Sequence, residues 1–154
     1  MNVTIIDYGA GNTESVRFAL ERLGSTPVLS ADPEVIQKAD KVIFPGVGSA
    51  SHAMEVLRTK GLDTLIRDLK QPVLGICLGM QVLMEYSEEG NTACLGIFPG
   101  KVVRFSEGVK IPHMGWNRVD GQDQLVPNGF YYFVHSYVVP VMDETIAESN
   151  HGQR

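Results

Sequence analysis

A cysteine stands between two glycines in the run Gly75-Ile76-Cys77-Leu78-Gly79. An apolar segment precedes this run and a helix-like pattern follows it, which is the spacing of a nucleophile elbow. At such a turn a thiolate, favoured by the start of the following helix, can attack a carbonyl carbon while the Leu78 N–H faces the developing oxyanion. A small buried core cysteine is the alternative, because most free cysteines pack in that way. The pentapeptide alone does not decide between these two interpretations.

Two other glycine-containing loops follow predicted strands, at residues 8–12 and 45–48. In open α/β sheets ligands bind beyond the carboxyl ends of the strands, so we expect both loops to meet residues 75–79 in one crevice. Residues 45–48, Pro-Gly-Val-Gly, could turn backbone N–H groups toward an oxyanion, and a simple glycine turn is the alternative. After the first loop, Glu14 stands where a dinucleotide fingerprint has its third glycine, and we therefore expect no phosphate site there.

Amide and acidic side chains follow the elbow. Gln81 comes one helical turn after Cys77, so it would face the same end of the elbow helix, with a solvated surface glutamine as the alternative. That helix is predicted over residues 79–86. Glu88 and Glu89 come next, and they either form a charged helix terminus or place an acid near the crevice, where it could hold an ammonium group.

Two histidines and a second cysteine lie further along the chain. His113 and His135 are candidate bases for a Cys–His pair, and hydrogen-bonded structural histidines are the alternative. Cys94 lies in a predicted polar loop without an elbow around it. We expect no role for that cysteine.

The elements that would position these residues change in character along the chain. In the first part, short β-branched runs alternate with amphipathic helical patterns, which is typical of a parallel sheet in an α/β fold. The strands are predicted at 3–6, 26–29, 41–44 and 73–76, with helices starting after Asn12 and at Asp32 and spanning 49–60 and 62–69. From Gly96 onward, runs at 101–105, 116–119 and 131–139 predict an antiparallel addition to that sheet.

Composition limits the class of protein. The 154 residues are 44% hydrophobic and 20% charged, which predicts one soluble globular domain over residues 1–154. A net charge of −5 without a basic stripe argues against nucleic-acid binding. Two cysteines without disulfide or zinc spacing predict a reducing, cytoplasmic setting and no metal site. The apolar stretches are too short or too interrupted to span a bilayer, so we expect no membrane association.

Five segments together resemble the class I glutamine amidotransferases, and among them the glutaminase subunits of imidazole glycerol phosphate synthase. These segments cover the chain from end to end and lie at residues 7–12, 45–48, 75–81, 112–117 and 132–137. The cysteine elbow is shared across the amidotransferases. The runs Pro-His-Met-Gly-Trp-Asn and Tyr-Phe-Val-His-Ser-Tyr in the last two segments are specific to this subunit.

The resemblance implies a three-layer, flavodoxin-like α/β sandwich with a mainly parallel central sheet. It implies that Cys77 attacks the side-chain amide of glutamine, forms a glutamyl thioester and releases ammonia, without a cofactor. The ammonia would pass to a (β/α)₈-barrel cyclase subunit, the partner in a heterodimer, for imidazole glycerol phosphate and aminoimidazole carboxamide ribotide formation in histidine biosynthesis.

The resemblance also implies roles for individual residues. The oxyanion donors would be the N–H of Leu78 and the Val47-Gly48 peptide. Glutamine would be held by Gly48, Gln81, Glu89, Ser136 and Tyr137. The subunit interface would include Asn12, Met114, Trp116 and Tyr132.

One family element does not occur among the 154 residues. In this family the cysteine works with a histidine and a glutamate of a His-Pro-Glu run near the C-terminus. We therefore expect a glutaminase domain that is incomplete at its C-terminus and has negligible activity alone, because a missing general acid–base costs about 10²–10⁴-fold. The alternatives are the glutaminase of another ammonia-dependent synthase, such as that of vitamin B6 synthesis, and a non-catalytic module that binds glutamine or the cyclase.

Overall fold

The computed structural model describes residues 1–122 and 124–152. The chain forms two compact units, Met1–Gly100 and Lys101–Arg154, of which Asp123, Gln153 and Arg154 lie outside the described residues. The single domain expected over residues 1–154 stays a prediction.

The first unit is built on a parallel sheet. Its strands are β1 (Val3–Ile6), β2 (Val28–Ser30), β3 (Lys41–Gly46) and β4 (Val73–Cys77), in the order β2-β1-β3-β4. Between them in the chain come α1 (Thr13–Arg22), α2 (Pro33–Gln37), α3 (Ala50–Thr59) and α4 (Leu62–Asp68). Strand order 2-1-3-4 is that of a flavodoxin-like doubly wound fold. The predicted mainly parallel sheet is confirmed, although β2 starts two residues late because Pro27 has no N–H for pairing.

Side-chain caps fix the starts of three helices. The Asn12 side chain accepts a hydrogen bond from the Ser15 N–H at 3.3 Å, and Asp32 accepts one from Glu34 at 2.8 Å. Ser49 caps α3 through the His52 N–H at 3.4 Å. Each cap satisfies a backbone donor that the helix itself leaves unpaired. All three helices therefore begin where the sequence predicts them.

Apolar side chains cover both faces of the sheet. Because alternate residues of a strand point to opposite faces, each strand contributes to two layers. On one face, Val3, Ile5 and Ile43 pack with Val16 and Leu20 of α1. On the other face lies the larger cluster, which includes Ile6, Val42, Phe44, Ile36, Met54, Leu57, Leu62 and Leu65. The three-layer arrangement is confirmed for this unit.

The segment after the elbow differs from the prediction. Helix α5 spans only Leu78–Gln81, and a hairpin of β5 (Met84–Ser87) and β6 (Thr92–Ala93) follows it. The helix predicted over residues 79–86 is therefore wrong. Gly90 and Asn91 have φ values of 69° and 48°, the positive pair that a tight hairpin turn requires. Glu88 and Glu89 consequently lie in the hairpin loop rather than at a helix terminus.

The second unit is antiparallel. Strand β7 (Phe98–Arg104) enters it from the first unit, and β8 (His113–Gly121) pairs with β9 (Gly129–His135). Short strands β10 (Tyr137–Val138) and β11 (Ala147–Glu148) pair with β7 and β8. The predicted antiparallel character is confirmed, but these strands form sheets of their own instead of adding to the parallel sheet. Within the described part of the chain, no helix has the length and apolar character needed to cross a membrane.

Candidate active site

Cys77 occupies a strained turn. It is the last residue of β4 and has φ 54° and ψ −118°, in a region that residues with a Cβ rarely adopt. Its side chain is exposed and does not cap α5. The buried core cysteine considered from the sequence is therefore wrong. An exposed thiol on a sharp strand-to-helix turn is the geometry that a nucleophile elbow needs.

Three glycines let the turn close. A Cβ on Gly75 would lie 2.6 Å from the Met80 Cα, and one on Gly46 would lie 2.7 Å from the Gly79 nitrogen. A Cβ on Gly79 would lie 1.9 Å from the Phe44 carbonyl oxygen. These distances are shorter than any real Cβ contact, so the backbones of β3, β4 and α5 approach closely only because these positions lack side chains.

The three predicted loops meet. A Cβ on Gly11 would lie 3.5 Å from the Pro45 side chain, and one on Gly46 would lie 3.0 Å from both the Tyr8 hydroxyl and the Leu78 Cβ. The loops after β1, β3 and β4 thus converge, as expected from the carboxyl ends of a parallel sheet. Burial raises the pKa of the Tyr8 hydroxyl to about 12, so this group stays protonated.

The loop after β3 is open where oxyanion donors were predicted. Val47 is 52% exposed, and Gly48 has a φ of 92° with nothing within 4 Å of a Cβ placed on it. Just beyond the loop, the Ala50 N–H donates a hydrogen bond of 2.8 Å to the Glu89 carboxylate. The predicted glutamine-binding acid therefore contacts the helix start that follows the predicted oxyanion loop.

Gln81 and α5 complete this side of the site. Gln81 is only 7% exposed, one helical turn after Cys77, so the solvated alternative is wrong. Helix α5 has 4 residues, and its summed peptide dipole is therefore small. The electrostatic contribution of this helix to the site is correspondingly limited.

Cys94 is part of the core rather than of a polar loop. It is buried in the larger apolar cluster, and its Sγ lies 3.5 Å from the Thr92 carbonyl oxygen. Burial raises the pKa of the Cys94 thiol to about 11, which suppresses its thiolate. The predicted location is wrong, while its lack of a role stays a prediction.

The two candidate bases contact each other within the second unit. His113 and His135 lie opposite one another on β8 and β9, with His113 Nδ1 3.0 Å from His135 Nε2. His135 Nδ1 lies 2.8 Å from the Tyr137 carbonyl oxygen, so it donates there. His135 Nε2 must then accept from His113 Nδ1–H, and His113 Nε2 lies 3.3 Å from the Asn117 amide nitrogen, which donates to it. All four ring nitrogens therefore have partners.

The environment of this pair keeps both rings neutral. Burial lowers the pKa of His113, and the neighbouring His151 and His135 lower it further. Burial also lowers the pKa of His135, against an opposing contribution from the Tyr137 carbonyl. The hydrogen bonds favour the interpretation of these residues as structural histidines. Although three histidines contact here, no metal-binding group of side chains is found within residues 1–122 and 124–152.

The remaining predicted site residues fall in three places. The Ser136 carbonyl accepts from the Phe105 N–H at 3.2 Å, and the Tyr137 carbonyl is the acceptor for His135. Met114, Trp116 and Tyr132 lie on one exposed face of the β8–β9 ribbon, where the Trp116 and Tyr132 rings meet edge to face at 5.7 Å. Phe130 and Val134 share this face, which strand alternation could have predicted once the bounds of β9 were known. Asn12 caps α1 in the first unit.

A family model described as glutamine amidotransferase class-I matches residues 4–152, which include the elbow, the predicted oxyanion loop and the β8–β9 ribbon. The chain belongs to this family. The resemblance stated from the five segments is thereby confirmed.

Its relatives include imidazole glycerol phosphate synthase subunits HisH from three bacteria. The Bacteroides fragilis protein is 50% identical over 159 residues, covering 98% of this chain and 81% of the relative. The Yersinia pestis protein is 47% identical, covering 99% and 82%. The Haemophilus influenzae protein is 46% identical, covering 99% and 80%.

Solved structures share the class-I amidotransferase fold. A crystal structure of a glutamine amidotransferase matches with a TM-score of 0.77 at 18% identity, covering 94% of this chain and 78% of the other. The crystal structure of a putative GMP synthase protein from Thermoplasma acidophilum matches with a TM-score of 0.66 at 17% identity, covering 98% and 74%. These matches support the fold class. Their sequence identity is too low to indicate a substrate.

Proposed function

We propose that this chain is the glutaminase subunit of an imidazole glycerol phosphate synthase, acting in histidine biosynthesis, and that Cys77 is its nucleophile. The observation that carries this proposal is the exposed Cys77 on its strained turn, beside the open Val47-Gly48 loop. Relatives of 46–50% identity that bear this subunit name favour it over the glutaminase of another synthase. We place the reaction in the cytoplasm, as the cysteine usage predicts.

The chemistry is acyl transfer from nitrogen to sulfur. The Cys77 thiolate attacks the side-chain carboxamide carbon of glutamine, and the amide oxygen becomes an oxyanion. The N–H groups of Leu78 and of the Val47-Gly48 peptide face that oxygen and stabilise it. The C–N bond breaks, ammonia leaves with an added proton, and a glutamyl thioester remains. Water then hydrolyses the thioester to glutamate and regenerates the thiol.

Glutamine recognition follows from charge and placement. The Glu89 carboxylate supplies a negative charge for the substrate α-ammonium group, and Gln81 supplies a buried amide next to Cys77. Gly48 gives the substrate close access to the loop, because it has no side chain. Ser136 and Tyr137 stay predicted ligands of the substrate through their backbone.

The reaction also needs a group that takes the thiol proton and protonates the leaving ammonia. The ring nitrogens of His113 and His135 have other partners, and the 154 residues contain no His-Pro-Glu run. We assign this role to none of the described residues. The hydrogen bonds that occupy the ring nitrogens of His113 and His135 favour a second candidate function, a chain that binds glutamine and its partner without turnover.

The exposed β8–β9 face is the proposed partner surface. It carries Met114, Trp116, Phe130, Tyr132 and Val134, and Trp116 is 70% exposed. Aromatic and methionine side chains are enriched at protein interfaces, whereas soluble proteins seldom leave such a stripe uncovered. We assign this face to the (β/α)₈-barrel cyclase, which would receive the ammonia.

The test uses a glutamine analogue with CH₂Cl in place of the amide NH₂. The Cys77 sulfur bonds to the CH₂ carbon, chloride leaves, and intact mass spectrometry with peptide mapping reports the adduct. We expect Cys77 to be labelled, glutamine to compete, and an analogue without the α-ammonium group to react more slowly. The proposed function would be contradicted if neither added glutamine nor loss of the α-ammonium group changed the rate of Cys77 labelling. Accumulation of a glutamyl thioester with glutamine itself would separate a slow enzyme from a pure binding module.

A further inference from the structure

The open oxyanion loop lies between two fixed points. At one end Gly46 is packed so closely that a Cβ on it would lie 2.7 Å from the Gly79 nitrogen. At the other end Ala50 is fully buried, and its N–H donates to the Glu89 carboxylate at 2.8 Å. Only Val47, Gly48 and Ser49 separate these points. The direction of the Gly48 N–H therefore depends on where Ala50 is held.

Glu89 is itself well anchored in the β5–β6 loop. Its N–H donates to the Ser87 hydroxyl at 3.2 Å, and its carbonyl accepts from the Thr92 hydroxyl at 2.8 Å. Ser87 and Thr92 are both buried. The next residue, Gly90, packs against Ser51 of α3, where a Cβ would lie 3.0 Å from the Ser51 side chain. The loop and the helix start are thus joined by packing as well as by the carboxylate.

We propose that Glu89 is a positioning residue for the oxyanion loop, which it holds through the Ala50 N–H. This inference rests on the proposed function, and it gives Glu89 a second role besides binding the substrate glutamine. A carboxylate has two oxygens with about four acceptor sites, so it binds a backbone N–H and a substrate ammonium group at the same time. Glutamine binding at Glu89 is thereby coupled to the placement of the Gly48 N–H, because both use one side chain.

Two variants separate the roles. Glu89→Gln keeps an oxygen at the same reach, so the Ala50 bond survives while the negative charge is lost. Glu89→Asp keeps the charge but shortens the side chain by one methylene, so the carboxylate withdraws from Ala50. If Glu89 only bound the substrate ammonium group, neither its charge nor its length would affect the reaction of a substrate that lacks this group.

The experiment measures second-order rates of Cys77 alkylation for wild type and both variants. The probes are the chloromethyl ketone analogue of glutamine, the same ketone without the α-ammonium group, and iodoacetamide. The ketones place a carbonyl oxygen at the oxyanion loop, whereas displacement of iodide from iodoacetamide needs no such support. Asp32→Ala, which removes a carboxylate cap from α2, is the matched control for losing a helix cap.

With the ketone that lacks the ammonium group, we expect Glu89→Asp to react at least about tenfold more slowly than wild type, since small misplacements of catalytic groups cost up to about 10²-fold. Asp32→Ala should stay within about twofold, Glu89→Gln should react faster than Glu89→Asp, and the ratio of the ketone rate to the iodoacetamide rate should fall in Glu89→Asp. Equal rates for Glu89→Asp, Glu89→Gln and wild type with this ketone would overturn the positioning role. Failure of the proposed function looks different, because wild type would then not prefer the ammonium-bearing ketone.

Discussion

Gly79 packs directly against the carbonyl of Phe44, so closely that a Cβ at position 79 would lie 1.9 Å from that oxygen. Phe44 lies in the middle of β3, whose end leads into the proposed oxyanion loop, and Gly79 lies in the first turn after Cys77. Cys77 and the proposed oxyanion loop are therefore set relative to each other by a backbone-to-backbone contact. Because the neighbouring atom belongs to the backbone, no side-chain rearrangement can remove the clash that a Cβ at position 79 would create.

Gly79→Ala should accordingly destabilise the first unit and displace Cys77. We expect a loss of about 2–3 kcal/mol in the free energy of unfolding, as for overpacked cores. Gly11→Ala is the matched control, because its Cβ would make only ordinary contacts of 3.5 Å or more with Pro45. Denaturant unfolding of both variants measures the difference. A Gly79→Ala protein as stable as Gly11→Ala would contradict the close approach.

The two cysteines should differ strongly in reactivity. Cys77 is exposed, whereas Cys94 is buried with a thiol pKa of about 11. A thiol with that pKa is ionised to roughly one part in 10³ at pH 8, and thiolate is the nucleophile. Limiting iodoacetamide should therefore modify Cys77 first, and peptide mass spectrometry reads the ratio. Cys94 should react only in denaturant, and comparable native labelling of both would refute this assignment.

Tyr8→Phe should leave the first unit at least as stable as wild type. Within residues 1–122 and 124–152, the buried Tyr8 hydroxyl has no hydrogen-bond partner, while its ring packs against Phe44 at 5.6 Å. Removing an unsatisfied buried hydroxyl relieves a desolvation cost, so we expect a change between zero and about +1 kcal/mol in the free energy of unfolding. Tyr86→Phe is the contrast, because the Tyr86 hydroxyl bonds to Asn91 at 2.9 Å. A loss in Tyr8→Phe as large as in Tyr86→Phe would show a hidden partner.

The sequence predicts the elements whose signals are local. Asn12 and Asp32 cap helices through residues two or three positions away, and the glycines of the elbow sit at fixed spacing around Cys77. These interactions need no knowledge of the rest of the fold. The parallel sheet and the converging loops follow because buried β-branched runs alternate with helices.

What the sequence does not predict depends on pairing between distant residues. The apolar run 82–84 suits a helix or a strand, and the turn at Gly90 decides between them. His113 and His135 become neighbours only through the register of β8 and β9. The contact between Glu89 and Ala50 spans 39 positions and has no motif of its own. Each of these is a long-range relationship that local propensity does not contain.

The β8–β9 face gives a direct prediction for assembly. Trp116→Ala should weaken binding to the (β/α)₈-barrel cyclase by about 30-fold or more, since central aromatic residues often contribute at least about 2 kcal/mol to an interface. Leu23→Ala removes an even more exposed apolar side chain at the end of α1 and should have little effect. Isothermal titration calorimetry compares the dissociation constants. Unchanged affinity in Trp116→Ala would remove this face from the proposed interface.

The His113–His135 pair should make the β8–β9 ribbon less stable in acid. Both pKa values lie below the ordinary histidine value of 6.5, because the folded ribbon keeps the rings neutral and hydrogen-bonded. The unfolded chain therefore binds more protons between the folded pKa values and about 6.5, and the free energy of opening rises with pH across that window. Stability is fully present above about pH 6.5 and is lost as the pH falls below it.

Hydrogen exchange of the β8 and β9 amides between pH 7.5 and 5, corrected for the intrinsic pH dependence of exchange, measures this slope. His113→Asn removes one titrating ring and should flatten the pH dependence, while leaving a side chain that can still donate toward His135. His52→Asn, at an exposed position on α3, is the matched histidine control and should keep the wild-type slope. If the pH dependence of exchange in His113→Asn equalled that of wild type, the acid sensitivity would arise elsewhere, because this variant lacks the His113 ring of the pair.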